Sequence, residues 1–77
     1  MTVRDMLEQF EIQGALKIQR LNDKDDRTEV LYDIDNHEND LVNKGYNWLD
    51  KEITYMYSIT TYDRYNFEIP QIVIEIK

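Results

Sequence analysis

The stretch E-I-T-Y-M-Y-S-I-T-T-Y, at residues 52–62, constrains the fold of this chain more than any other segment. It is the longest run dominated by β-branched and aromatic residues, which favour strands. Because side chains alternate between the two faces of a strand, one set is predicted to face the core: Ile53, Tyr55, Tyr57 and Ile59. The chain must therefore build a sheet.

The same two-residue alternation recurs in three other segments. Residues 15–21 and 28–35 flank the polar run N-D-K-D-D, which is typical of a turn, so they are predicted to form an antiparallel hairpin. Only Leu31 interrupts the alternation of the second strand. Residues 71–77 form a last strand with its isoleucines inward, and Pro70 stands at its start, where no backbone donor is required.

The first residues have the 3.6-residue period of a helix. Thr2 and Asp5 form a T-x-x-D capping pattern, and Gly14 is suited to end the helix or turn the chain beyond it. The apolar stripe of this helix consists of Val3, Met6, Leu7 and Phe10.

The connection at residues 36–51 is the least regular part of the sequence. It allows a short helix from Asn36 to Gly45, after which Tyr46, Trp48 and Leu49 are expected to anchor the connection to the core. These elements predict a single α+β domain over residues 1–77, with the N-terminal helix packed on a four-stranded antiparallel sheet. The chain has no cysteine, so no disulfide stabilises this small core.

The net charge of −7 limits the classes of partner. Nucleic acid and anionic membrane both attract clustered Lys and Arg, so the charge disfavours both and favours a basic protein. Acidity that serves only solubility is the alternative. The sequence contains neither a secretory signal nor an apolar run of about 20 residues, and the expected location is the cytoplasm of a bacterial host cell.

Catalytic and metal-binding patterns are weak. Neither Asp33 nor Asp23 begins an EF-hand loop, because the required glycine and glutamate are missing, and a weak divalent-metal site is the most that the sequence allows. The only serine, Ser58, lies in a strand, and the only histidine, His37, lies in a polar segment. The sequence therefore predicts no enzyme, no cofactor and no functional metal.

Two groups of residues are candidates for contact with a partner. Tyrosines beside the loop D-R-Y-N-F-E-I-P are favoured as exposed contacts, whereas a stacking platform for nucleic acid lacks the basic groove that it needs. The acidic run at residues 23–40 would spread carboxylates about 6.6 Å apart along a strand, close to the roughly 6–7 Å between phosphates. The predicted partner-binding residues are Asp23, Asp25, Asp26, Glu29, Asp33, Asp35, Glu38, Asp40, Tyr62 and Tyr65.

Three segments covering about half the chain also suggest a family. M-T-V-R-D-M-L-E-Q-F-E-I-Q-G, W-L-D-K-E-I-T-Y-M-Y-S-I and I-V-I-E-I resemble small acidic proteins of bacterial phages and mobile elements. Proteins of that kind include anti-CRISPR proteins, several of which occupy the DNA- or PAM-binding groove of a Cas nuclease. The resemblance implies a phage or mobile-element setting more than one defined activity, and an anti-CRISPR role is its sharpest version.

The predicted function is a non-enzymatic acidic inhibitor that occupies the basic groove of a Cas effector or a similar nucleic-acid-binding protein. The alternative is a small structural or accessory domain that is acidic only for solubility. Such a domain would work as a homodimer through an exposed strand edge.

Overall fold

The computed structural model describes residues 1–10, 12, 14–22, 27–35 and 40–77. The elements in chain order are α1 (Val3–Gln9), β1 (Ala15–Asn22), β2 (Arg27–Ile34), the 3-10 helices η1 (Leu41–Asn43) and η2 (Asn47–Asp50), β3 (Ile53–Tyr62) and β4 (Glu68–Ile76). The strands form one sheet in the order β2-β1-β4-β3. Of the predicted turn at residues 22–26, Asn22 is the last residue of β1 and residues 23–26 lie outside the described residues.

The sheet is mixed. β1 pairs with β2 and β3 pairs with β4 in antiparallel fashion, but the central pair, β1 and β4, is parallel. The prediction of a wholly antiparallel sheet is therefore wrong, while the broader α+β class and the first hairpin are confirmed. Since β2 and β3 run in the same direction at opposite edges, the connection between them must return along the length of the sheet.

The N-terminal helix begins at the predicted capping box. The backbone N–H of Asp5 donates to Thr2 Oγ1, and the backbone N–H of Thr2 donates to Asp5 Oδ2, both at 3.1 Å. The bond from the Thr2 backbone lowers the pKa of the Asp5 carboxyl. Val3 and Met6 are buried as predicted, but Phe10 is exposed because the helix ends at Gln9 and Phe10 has an extended backbone.

In its described part, residues 40–52, the connection before β3 forms two short 3-10 helices, and residues 40–45 of the helix predicted from Asn36 to Gly45 contain only η1. Residues 36–39 lie outside the described residues. Trp48 and Leu49 are buried, and Tyr46 stacks on Trp48 with ring centroids 4.9 Å apart, which confirms that this segment is anchored to the core. Gly45, with a φ of +77°, provides a backbone conformation that other residues rarely adopt.

The core lies between one face of the sheet and the layer formed by α1, η1 and η2. Two polar contacts tie this layer together: Arg4 Nε donates to Asp50 Oδ1 at 2.9 Å, and Arg4 Nη1 donates to the Val42 carbonyl at 2.9 Å. The bond to Arg4 lowers the pKa of the Asp50 carboxyl. The buried side chains of this core are Val3, Met6, Leu16, Ile18, Tyr32, Leu41, Trp48, Leu49, Ile74 and Ile76.

Register shifts in both edge strands change which side chains face the core. In β2, Tyr32 pairs with Ile18 and Val30 pairs with Gln19, so Leu31 is an extra residue at a bulge. A second shift separates Ile53 from Tyr55 in β3, and the residues after it lie on the reverse face from the one predicted. Tyr55 and Tyr57 are accordingly 66% and 43% exposed, so the prediction that they lie in the core is wrong.

Candidate acidic binding face

The sheet face turned away from α1 carries the candidate site, and we call it the open face. Strand pairing aligns Lys17 with Asp33 on one side and with Val73 on the other, and it aligns Gln71 with Ile59. Directly paired residues point to the same side of a sheet, so this surface crosses all four strands. The described helices pack on the other face, around the core.

Two buried glutamines organise the polar groups of the open face. Gln19 Nε2 donates to the Tyr57 hydroxyl at 2.9 Å and to Glu75 Oε2 at 3.1 Å. Gln71 Nε2 donates to Asp33 Oδ1 at 2.8 Å. Because buried amides must be paired to avoid a desolvation penalty, both glutamines hold their acidic partners in fixed orientations.

A shallow depression of about 250 Å³ crosses the open face from the end of β2 to the end of β3. It brings three carboxylates, those of Asp33, Asp35 and Asp63, together with the single ammonium group of Lys17. The depression is therefore acidic overall. The remaining lining residues are Ile59, Thr61, Tyr62, Ile69 and Gln71.

Asp63 also organises the turn between β3 and β4. Its Oδ1 accepts hydrogen bonds from the backbone N–H of Tyr65, at 2.8 Å, and of Phe67, at 3.0 Å. Asn66 has a φ of +66°, a conformation that asparagine tolerates in turns. The sequence prediction missed Asp63 as a site residue, although an aspartate between two β-prone segments is a recognisable turn signal.

The structure brings three of the predicted partner-binding residues together, namely Asp33, Asp35 and Tyr62, which all line the depression. It separates Glu29 from them. Because of the bulge, Glu29 pairs with Arg20 on the core side of the sheet, with its Oε2 3.9 Å from Arg20 Nη1. The prediction that Glu29 shares one strand face with Asp33 and Asp35 is therefore wrong.

The other predicted residues lie elsewhere. Asp40 is exposed and immediately precedes η1, which packs near α1. Tyr65 is exposed in the β3–β4 turn, with the Arg64 guanidinium 4.9 Å from the centre of its ring. Asp23, Asp25, Asp26 and Glu38 lie outside the described residues.

The remaining members of the depression could not be recognised as a site from the sequence. Lys17, Gln71 and Ile59 belong to three different strands, and they become neighbours only through the strand order. The one available signal is the break in alternation at Leu31, which marks the bulge that separates Glu29 from Asp33.

The groups on the open face are suited to binding through charge and surface contact. Carboxylates that the two buried amides hold in place, together with half-exposed tyrosine rings, offer hydrogen-bond acceptors and apolar surface to a cationic partner. In the described part of the chain, no group of three or more His, Cys, Asp or Glu side chains is arranged to hold a metal ion. Ser58 lies within β3, and His37 is outside the described residues.

Comparison with known proteins adds no assignment to this geometry. Among the described residues, no helix is long and apolar enough to cross a membrane. No protein-family model, no curated protein and no solved structure matches the chain.

Proposed function

We propose that this protein is a non-enzymatic inhibitor that binds a basic nucleic-acid-binding protein through its open face. The sharpest form of the proposal is an anti-CRISPR role, in which the open face occupies the groove that a Cas effector uses for DNA. The observation that carries it is the acidic depression, where Asp33 and Asp35 of one sheet edge lie together with Asp63 of the other.

Charge accounts for the encounter with the partner. A chain with a net charge of −7 is attracted to a surface rich in Lys and Arg, and such steering raises association rates by 10-fold to 10³-fold. Asp33 and Asp35 are two residues apart at the end of β2, where an extended backbone would set them about 6.6 Å apart, near the separation of successive phosphates. The open face can thus replace part of a nucleic acid backbone in a basic groove.

Apolar and aromatic groups account for the affinity of the complex. Exposed charges at a rim contribute little net binding energy, whereas tyrosines in a desolvated contact often dominate it. Tyr55 and Tyr57 are exposed on the open face, and the ring of Tyr57 is oriented by the hydrogen bond between its hydroxyl and Gln19. The Tyr57 ring therefore presents contact area at a small entropic cost.

A competition assay tests the proposal. Purified guide-loaded Cas effectors of different types are each mixed with this protein, and binding of a labelled target DNA duplex is measured. We expect that one effector loses DNA binding near a 1:1 ratio and recovers it as the salt concentration rises, because the contact is electrostatic. Unchanged DNA binding by every effector at a large excess of this protein would contradict the anti-CRISPR role.

A further inference from the structure

The outer edge of β3 is the least protected edge of the sheet. β2, at the opposite edge, carries Glu29 and Asp33 and contains a bulge in its middle, and charged side chains and bulges both prevent unwanted strand pairing. β3 is longer, at 10 residues, and contains no charged residue. Although each chain has a net charge of −7, a second copy that approaches β3 therefore meets no charged side chain on this strand.

The hydrogen-bonding groups that point outward from β3 can be identified. The backbone N–H of Asp63 donates inward to the Phe67 carbonyl, at 3.0 Å, so by antiparallel alternation Tyr57, Ile59 and Thr61 also bond to β4. The backbone groups of the residues between them point away from the sheet. These outward residues are Met56, Ser58, Thr60 and Tyr62.

Both ends of this free edge are defined. At its start, the backbone N–H of Ile53 donates to the Met1 carbonyl at 2.9 Å, so the N-terminal residues occupy the edge there. At its end, the chain turns back at Asp63 toward β4. As far as the described residues show, the available edge therefore comprises residues 54–62, and its centre is Ser58.

We infer that two copies of this chain dimerise by antiparallel pairing of their β3 strands about a two-fold axis at Ser58. This register pairs residues 55–61 of the two copies and directs the outward groups of Met56 toward those of Thr60 in the second copy. The two sheets become one continuous sheet of eight strands, since each copy contributes four.

The side chains of β3 are compatible with this self-pairing. On the open face, Tyr57 lies opposite Ile59 of the second copy and Tyr55 lies opposite Thr61, and aromatic residues pair favourably with β-branched ones. On the core side, Ser58 meets Ser58 at the axis. Pairing across the axis also reduces the exposure of Met56, which points to the core side and is 55% exposed in the single chain, while the open face stays accessible.

Sedimentation velocity over about 1 to 300 µM protein tests the dimer with two matched variants. Ser58→Lys brings two positive charges together at the axis, whereas Thr28→Lys adds the same charge at the exposed edge of β2. We expect the unmodified chain and Thr28→Lys to reach twice the monomer mass and Ser58→Lys to remain monomeric. A monomer at all concentrations for the unmodified chain, or equal dimerisation of both variants, overturns the inference.

Amide hydrogen exchange gives a second test that needs no variant. In the concentrated sample the backbone N–H groups of Met56, Ser58 and Thr60 should exchange at least tenfold more slowly than in the dilute one, while those of Tyr57 and Ile59 are protected in both. Equal rates for Met56, Ser58 and Thr60 at both concentrations would overturn the β3 interface. Both tests use the protein alone, so their result is independent of the inhibitor proposal.

Discussion

Replacing Trp48 with alanine is expected to lower the free energy of unfolding by about 3–5 kcal/mol. The Trp48 side chain is buried, stacks on Tyr46 and lies 5.5 Å from Tyr32 between ring centroids. It fixes the connection that returns along the sheet, so its loss opens a cavity and weakens the covering layer. A domain of 77 residues has a total stability of roughly 4–12 kcal/mol, so the expected loss is about a quarter of that stability or more.

The control for this prediction is Phe67→Ala, which truncates another aromatic side chain that is 69% exposed. Exposed substitutions away from caps and networks usually change stability by less than about 0.5 kcal/mol. Urea unfolding followed by circular dichroism measures both variants. Similar unfolding midpoints for Trp48→Ala and Phe67→Ala would mean that η2 does not cover the core as described.

Neutralising the acidic depression is expected to slow association with the basic partner by roughly tenfold at low salt. The variant combines Asp33→Asn with Asp35→Asn. Asparagine keeps a carbonyl oxygen that can still accept the bond from Gln71, so the fold is retained while two charges are removed. The rate difference should shrink toward unity at about 0.5 M salt, where the Debye length falls below about 5 Å.

A matched variant shows whether the association rate depends on where the removed charges lie or only on how many are removed. Glu8→Gln combined with Glu29→Gln also removes two negative charges, but from α1 and from the core side of the sheet. We expect it to slow association by less than about threefold, since these charges are farther from the contact. Stopped-flow or biolayer measurements with the effector found in the competition assay provide the rates. Equal slowing by the two variants would indicate a response to net charge alone.

Local signals predicted most of the elements. The capping box at Thr2, the alternation in each strand and the anchoring residues Trp48 and Leu49 were all recognisable, because they depend on neighbours in the sequence. The end of α1 was misjudged, since Phe10 continues the apolar period but takes an extended backbone.

The pairing of strands that are far apart in the sequence could not be predicted from local patterns. The isoleucines of β4 suit a parallel and an antiparallel neighbour equally, so its pairing with β1 left no local trace. At the start of β3, the shift beside Thr54 coincides with a bond from Thr54 Oγ1 to the Glu75 carbonyl, at 3.0 Å, which requires β4 to be in place. The exposure of Tyr57 follows from that shift.

The candidate site, like the fold, was predictable only where it depends on neighbours in the sequence. Asp33 and Asp35 are two residues apart, and period-two alternation correctly set them on one side. Their association with Asp63 depends on the strand order, and the separation of Glu29 depends on the bulge at Leu31. The extra residue at this bulge thus moves the Glu29 carboxylate from the open face, where the sequence predicts it, to the core side of the sheet.

Hydroxyl-radical footprinting of the complex with the effector tests the central claim most directly. Tyr55 and Tyr57 report on the open face, and Phe10, which is 59% exposed after α1, reports on a region away from it. Oxidation of both tyrosines should fall at least fivefold relative to the free protein at the same concentration, while oxidation of Phe10 stays constant. Protection of Phe10 with unchanged oxidation of Tyr55 and Tyr57 would show that the open face is not the binding surface.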